Sequence, residues 1–183
     1  MLEVIFDVSL SQLQRARVWV GERPIPRLAI DGVVSRSFPS AGPSSRDACA
    51  AIELQMPRGP RALYGLLGGN FKPKVTSTRL AVDVRFTDAA GRPVFISSLV
   101  AKPEVARLGL PREFADAVLE GVGDAVALNR EPGPGILDFD CAASGDIGSS
   151  PVVYRTLGRA MTALLANGAI DDAWVRNVLS ELM

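Results

Sequence analysis

The chain has no histidine among its 183 residues. That excludes Ser-His-Asp and Cys-His nucleophile systems, imidazole general bases and histidine-ligated metals. It has only two cysteines, Cys49 and Cys141, too few and too far apart for a zinc cluster; Cys141 continues an apolar strand pattern and reads as a reduced core thiol. Neither sign of charge is in excess, with 20 Lys plus Arg against 20 Asp plus Glu. A protein that coats nucleic acid nonspecifically is usually basic overall, so any RNA contact here must come from a local patch. No uninterrupted apolar run approaches the length of a membrane span. The opening MLEVIFDVSL carries acids inside its apolar run and no basic leader. The expectation is a soluble, cytoplasmic protein with no membrane partner.

What is present is a large apolar fraction, 48% of residues, enough for the core of one domain with an extension. Glu3–Val8, Ala16–Val20 and Leu28–Val34 read as short β segments. Residues 35–46 (SRSFPSAGPSSR) form a turn-rich stretch that marks the expected boundary. It separates an N-terminal β extension, residues 1–45, from an α+β domain, residues 46–183. In that domain Ala50, Ile52, Leu54 and Met56 alternate with more polar residues, as do Leu80, Val82, Val84 and Phe86. Asp88–Arg92 reads as a turn, Pro93–Val100 as its returning strand, and Ile136–Ala142 as a further strand. Strict period 2 predicts an antiparallel sheet with one buried and one wetter face. Helical periodicity follows over Pro111–Leu128, over Ser150–Ala166, and in a last helix capped by Asp171 or Asp172 and carrying Trp174. The fold class expected is therefore α+β, a two-layer antiparallel sheet with helices on one face.

Several strings in this order resemble domain IV of elongation factor G, a translational GTPase. RLAVDVRF at 79–86 and GRPVFISSL at 91–99 sit like that family's hairpin. LPREFADAVLEGV at 110–122 is similar to its helix, with Pro111, Glu113, Phe114, Ala117, Val118, Gly121 and Val122 in matching positions. Ile147, Gly148, Ser149 and Ser150 align with its V-D-S-S turn, and Arg61, Tyr64 and Gly65 with R-x-x-Y-G. The resemblance spans about residues 50–167. It implies a β-β-β-α-β-α order with a left-handed βαβ crossover, loop tips that enter the ribosome beside tRNA and messenger RNA, and no catalysis. It implies no GTP site: Gly65–Asn70 lacks the Gly-Lys-Ser/Thr that cradles a nucleotide phosphate.

Candidate binding residues fall in two stretches. Between Leu54 and Val82 there is no acidic residue, while Arg58, Arg61, Lys72, Lys74 and Arg79 lie there with Tyr64 and Phe71 interleaved. Cations that neutralise phosphates beside rings that stack on bases are what single-stranded RNA requires. The competing reading is a solvated glycine-rich loop whose aromatics sit in the core. The second stretch is the turn at Asp146, Ser149 and Ser150. It can offer helix-start N–H groups to a phosphate, or serve as a helix cap through Ser149 or Ser150.

Asp138 and Asp140 form a carboxylate pair on one strand face; Arg85, Glu53 and Arg79 are expected on the same face from other strands, and cross-strand ion pairs there would explain the two acids without chemistry. Glu104–Arg107 reads as a charged helix flank. No metal site, cofactor or catalytic set is expected. The leading expectation is a non-catalytic RNA- or ribosome-binding domain. The alternatives are a protein-interaction or homo-oligomerisation module, and a small-molecule enzyme on the same fold.

Overall fold

The computed structural model describes residues 4–9, 14–25, 31–40, 42, 46–58, 61–87, 91–93, 98–100, 104–167 and 170–182. Its strands are β1 (Val4–Ser9), β2 (Arg15–Val20), β3 (Gly32–Pro39), β4 (Ala48–Arg58), β5 (Arg61–Pro73), β6 (Arg79–Phe86), β7 (Ala106–Leu108) and β8 (Gly135–Gly145). Its helices are α1 (Arg112–Ala127), α2 (Pro151–Ala166) and α3 (Asp172–Leu182). The strands form one sheet in the order β1-β2-β4-β5-β8-β6-β3, with β7 beside the end of β8. Every pairing is antiparallel except β6 with β8, which are parallel neighbours joined through α1. The chain is thus mixed α and β, with a large, mostly antiparallel sheet.

The period-2 pattern decides which face is covered. Ile52, Leu54, Leu67, Phe71, Val82, Val84, Leu137 and Phe139 form one buried cluster with Phe114, Val118, Val122, Val153, Leu157 and Met161 of α1 and α2. The two helices approach closely because each offers a glycine at the crossing. A β-carbon on Gly158 would lie 2.5 Å from the Val118 carbonyl oxygen, and one on Gly121 would lie 2.9 Å from Arg159 N. The Phe114 and Tyr154 rings stack with centroids 5.0 Å apart, and Tyr154 Oη donates to the Ala143 carbonyl. That bond fixes α2 over β8. Asp171 accepts from Trp174 N at 2.7 Å, the expected cap of α3.

Three elements differ from the sequence reading. Residues 61–73, read as a glycine-rich loop, are the longest strand, β5, because its glycines stand where neighbours come close. A β-carbon on Gly65 would meet Leu157 and Val153 of α2 at 2.8 Å, and one on Gly68 would meet Ala51 Cβ at 2.8 Å. Among the described residues β6 pairs with β8 and β3 on its two edges, and no returning strand pairs with it. Pro93 instead bridges Arg107; residues 88–90 and 94–97 of that expected hairpin lie outside the described residues. Finally, β3 runs on through Pro39, five residues into the expected boundary stretch, and pairs along all of β6. Strands β1 and β2 extend the same sheet on its other side.

Gly158→Ala places its methyl against backbone atoms that cannot turn aside. It is expected to cost about 1–3 kcal/mol in urea unfolding, although alanine is the better helix former by roughly 1 kcal/mol.

Candidate nucleic-acid interface

The expected binding residues divide between two ends of the sheet. Arg58 and Arg61 face one another where β4 and β5 meet in a hairpin; their side chains lie outside the described residues. Lys72 and Lys74 lie at the far end of β5, on the order of 35 Å from Arg61 at the rise of an extended strand. They cannot act as one cluster with Arg58 and Arg61.

The turn at 145–150 meets the hairpin end. Tyr64 N donates to the Gly148 carbonyl at 2.8 Å. Ser149 Oγ donates to the Tyr64 carbonyl at 2.7 Å and accepts from Gly145 N at 2.8 Å. The turn's outward N–H groups are already taken: Glu104 Oε1 accepts from Ile147 N at 2.5 Å and from Gly148 N at 2.7 Å. A carboxylate of the same molecule therefore occupies the place that a phosphate was expected to fill. Gly148 makes room for it, since a β-carbon there would lie 2.8 Å from Glu104 Oε2. The expected side-chain cap is also absent. Ser149 is engaged with β5, and Ser150, at the N-cap position, makes no side-chain cap bond; its Oγ is buried without a hydrogen-bond partner. Its carbonyl alone starts α2, accepting from Val153 N and Tyr154 N. Asp146 is exposed at the tip, 3.8 Å from Arg107 Nε.

Neither aromatic is available for stacking on bases. Phe71 lies in the core under the helices, and Tyr64 is fully buried on the opposite face. Alternation along β5 sends them to opposite sides of the sheet, and both sides are covered at those points. Tyr64 Oη instead donates to Glu53 Oε1 at 3.0 Å. Burial together with the nearby Glu53 carboxylate pushes the Tyr64 hydroxyl far above its ordinary pKa.

The other end is different in character. The connection from β5 to β6 crosses the start of β8 and is pinned there, with Lys74 N donating to the Pro134 carbonyl and Ser77 N to the Lys74 carbonyl. Lys72, Lys74, Val75, Thr76, Thr78 and Arg79 are exposed, Val75 by 90%. Arg79 is held by Ser37, through Nε to Oγ at 2.7 Å and Nη2 to the carbonyl at 2.9 Å. Among the described residues no carboxylate pairs with Lys72, Lys74 or Arg79. Several other arginines are spoken for: Arg17, Arg23, Arg85, Arg155 and Arg176 each hold an acid.

The sheet face away from α1 and α2 carries buried acids. Asp138 makes the expected cross-strand pair, taking Arg85 Nε and Nη2 at 2.9 and 2.7 Å. The ion pair of Asp140 is with neither Arg85 nor Arg79. Asp140 is the extra residue where the β5–β8 register shifts, and it accepts from Arg23, just past β2, and from Asn70 Nδ2 at 3.4 Å. Glu53 is fully buried, and its Oε1 accepts from Leu99 N and Ser98 Oγ, both at 2.9 Å, besides Tyr64. Arg17 Nη1 stands 3.5 Å from Oε2. These contacts fasten residues 98–100 across the face. Cys141 lies in the same cluster, and burial pushes its thiol up to about 12. Asp138 and Asp140 are thus each tied to a different arginine rather than aimed at a shared centre.

The chain matches no family model, no curated protein and no solved structure.

Glu104, read from sequence as part of a charged helix flank, stands instead in the irregular segment just before β7. Its one signal is Gly148, which aligns with the acid of the V-D-S-S turn that residues 147–150 resemble; a glycine there leaves room for a close approach. Arg23 and Ser98 lie in irregular segments whose partners are distant in the chain, and no local pattern reveals them.

Glu104→Ala removes two charge-assisted bonds from the turn and is expected to cost about 1–2 kcal/mol in urea unfolding. Burial raises the Glu53 pKa, partly offset by its three donors and Arg17. The folded state therefore holds a proton that the unfolded state has released, and this contribution to stability falls as pH rises from the ordinary carboxylate range to the raised value. Glu53→Gln lacks that fall. Wild-type stability minus variant stability is expected to decline across that window, at no more than about 1.4 kcal/mol per pH unit, in urea titrations from acid to neutral pH.

Proposed function

We propose that the chain is a non-catalytic binding domain that engages the phosphates of RNA, ribosomal RNA included, through the exposed connection Lys72–Arg79. The observation that carries the reading is the un-neutralised charge there. Lys72, Lys74 and Arg79 project beside Thr76 and Thr78 with no carboxylate paired to them among the described residues, in a chain whose formal charge is zero. A local field of this kind gives salt-sensitive phosphate binding without a basic protein overall. The backbone bonds from Lys74 and Ser77 hold the connection in place, so little ordering is needed on binding.

The resemblance to domain IV of elongation factor G supports RNA as the polymer and, with β6 and β8 parallel neighbours linked through α1, a related chain order with a left-handed crossover. The family's own tip is a poorer contact surface in this chain, because Glu104 and Asp146 place acids at the 145–150 turn. Buried Tyr64 and Phe71 leave recognition to the backbone of the polymer rather than to its bases.

Mobility-shift titrations with short single-stranded RNA and with ribosomal subunits, at several salt concentrations, test this. Lys72→Ala/Lys74→Ala is expected to weaken binding and to reduce the log–log salt slope by roughly 1.4, at about 0.7 per lost phosphate contact. Arg58→Ala/Arg61→Ala is expected to bind like wild type. Unchanged binding by the lysine variant, or loss confined to the arginine variant, would overturn the assignment.

A further inference from the structure

Among the described residues the sheet ends in two edge strands, β1 and β3, and they are built differently. Strand β3 ends in Pro39, which has no N–H to offer, and presents the exposed charge of Arg36 and the small Gly32. These are the features by which proteins blunt an edge against pairing. Strand β1, VIFDVS, contains no proline, glycine, lysine or arginine. Its one charge, Asp7, is turned along the face into an ion pair with Arg17 at 3.2 Å. Ile5 is 55% exposed and Val4 38%. Among the described residues β1 pairs with β2 alone, so its outer backbone groups are left open, with exposed Val4 on one face of the strand and exposed Ile5 on the other.

We propose that β1 is an interface between two copies of this chain, which pair edge to edge and antiparallel, with Phe6 opposite Phe6 of the second copy. The inference is independent of the RNA reading. A two-fold axis normal to the sheet keeps the helices of both copies on one side, so residues that face each other must share a strand face. Two central registers satisfy this. Pairing Asp7 with Asp7 sets like charges opposite one another, which destabilises a cross-strand pair. Pairing Phe6 with Phe6 sets Val4 against Val8 and Ile5 against Asp7, and keeps the carboxylates apart. An edge that pairs with itself makes a closed, isologous dimer. Growth into a filament would need β3 to accept a strand, and β3 is the blunted edge.

Sedimentation velocity of the full chain from the micromolar range upward tests the proposal, with Ile5→Glu and Ile5→Lys beside wild type. In the Phe6-centred register residue 5 faces Asp7 of the second copy. Glutamate there is repelled and lysine attracted, so Ile5→Glu is expected to raise the dimer dissociation constant at least roughly tenfold, whereas Ile5→Lys stays dimeric. Circular dichroism should be the same for all three. Hydrogen exchange on wild type gives an answer that needs no variant: β1 amides gain protection with concentration and β3 amides do not. A monomeric wild type, or concentration-independent exchange at β1, overturns the pairing. Equal weakening by glutamate and lysine overturns the Phe6-centred register.

Discussion

Helix α2 lies on β5 at Gly65, where even a methyl group would collide with Leu157 and Val153, and on the other face Gly68 gives the same clearance to Ala51 and Cys141. This thinness of the central strand is the constraint on which the rest of the molecule depends. It lets α2 settle close enough for Tyr154 to reach the Ala143 carbonyl, which in turn sets where the 145–150 turn meets the hairpin end. It also lets α1 follow α2 down onto the sheet through the Gly121 and Gly158 crossing. Side chains at these positions would lift both helices, and apolar area on two layers would be returned to water.

The second face is organised by charge rather than by apolar packing alone. Glu53 and Asp140 are both fully buried, and a buried carboxylate is tolerated only when donors surround it. Besides Tyr64 and Asn70 of β5, each draws donors from segments outside the regular strands: Leu99 and Ser98 for Glu53, Arg23 for Asp140. The acids thereby hold two irregular segments against the sheet. They are positioned for architecture, each with its own partner, and not for shared acid–base work.

Neutral overall charge conceals an uneven distribution. Arg17, Arg85, Arg107, Arg155 and Arg176 on the strands and helices are matched to acids of the same molecule, while among the described residues the connection over the start of β8 keeps its lysines unmatched. Glu104 does the opposite at the other end, where it satisfies N–H groups that an external anion would otherwise find. The contrast between these ends directs the nucleic-acid reading to Lys72–Arg79. The contrast between the two sheet edges is what points the proposed self-association to β1.

Local pattern determined much of this protein: the extents of α1, α2 and β6 and the helix-covered faces of β4 and β6 follow from periodicity, and the α3 cap at Asp171 from the residue types beside it. The absence of histidine and the balance of charge likewise bounded the chemistry before any fold was known. Tertiary structure alone decided that Gly65, Gly68 and Gly69 belong to a strand, because a glycine required by a neighbour's approach looks the same in sequence as one that loosens a loop. It alone parted Lys72 from Arg61, since a continuous strand carries its ends apart where a loop would bring them together. And it alone brought Glu104 to Gly148 and Arg23 to Asp140, because an ion pair between distant segments depends on how the chain folds back and leaves no periodic trace in the order of its residues.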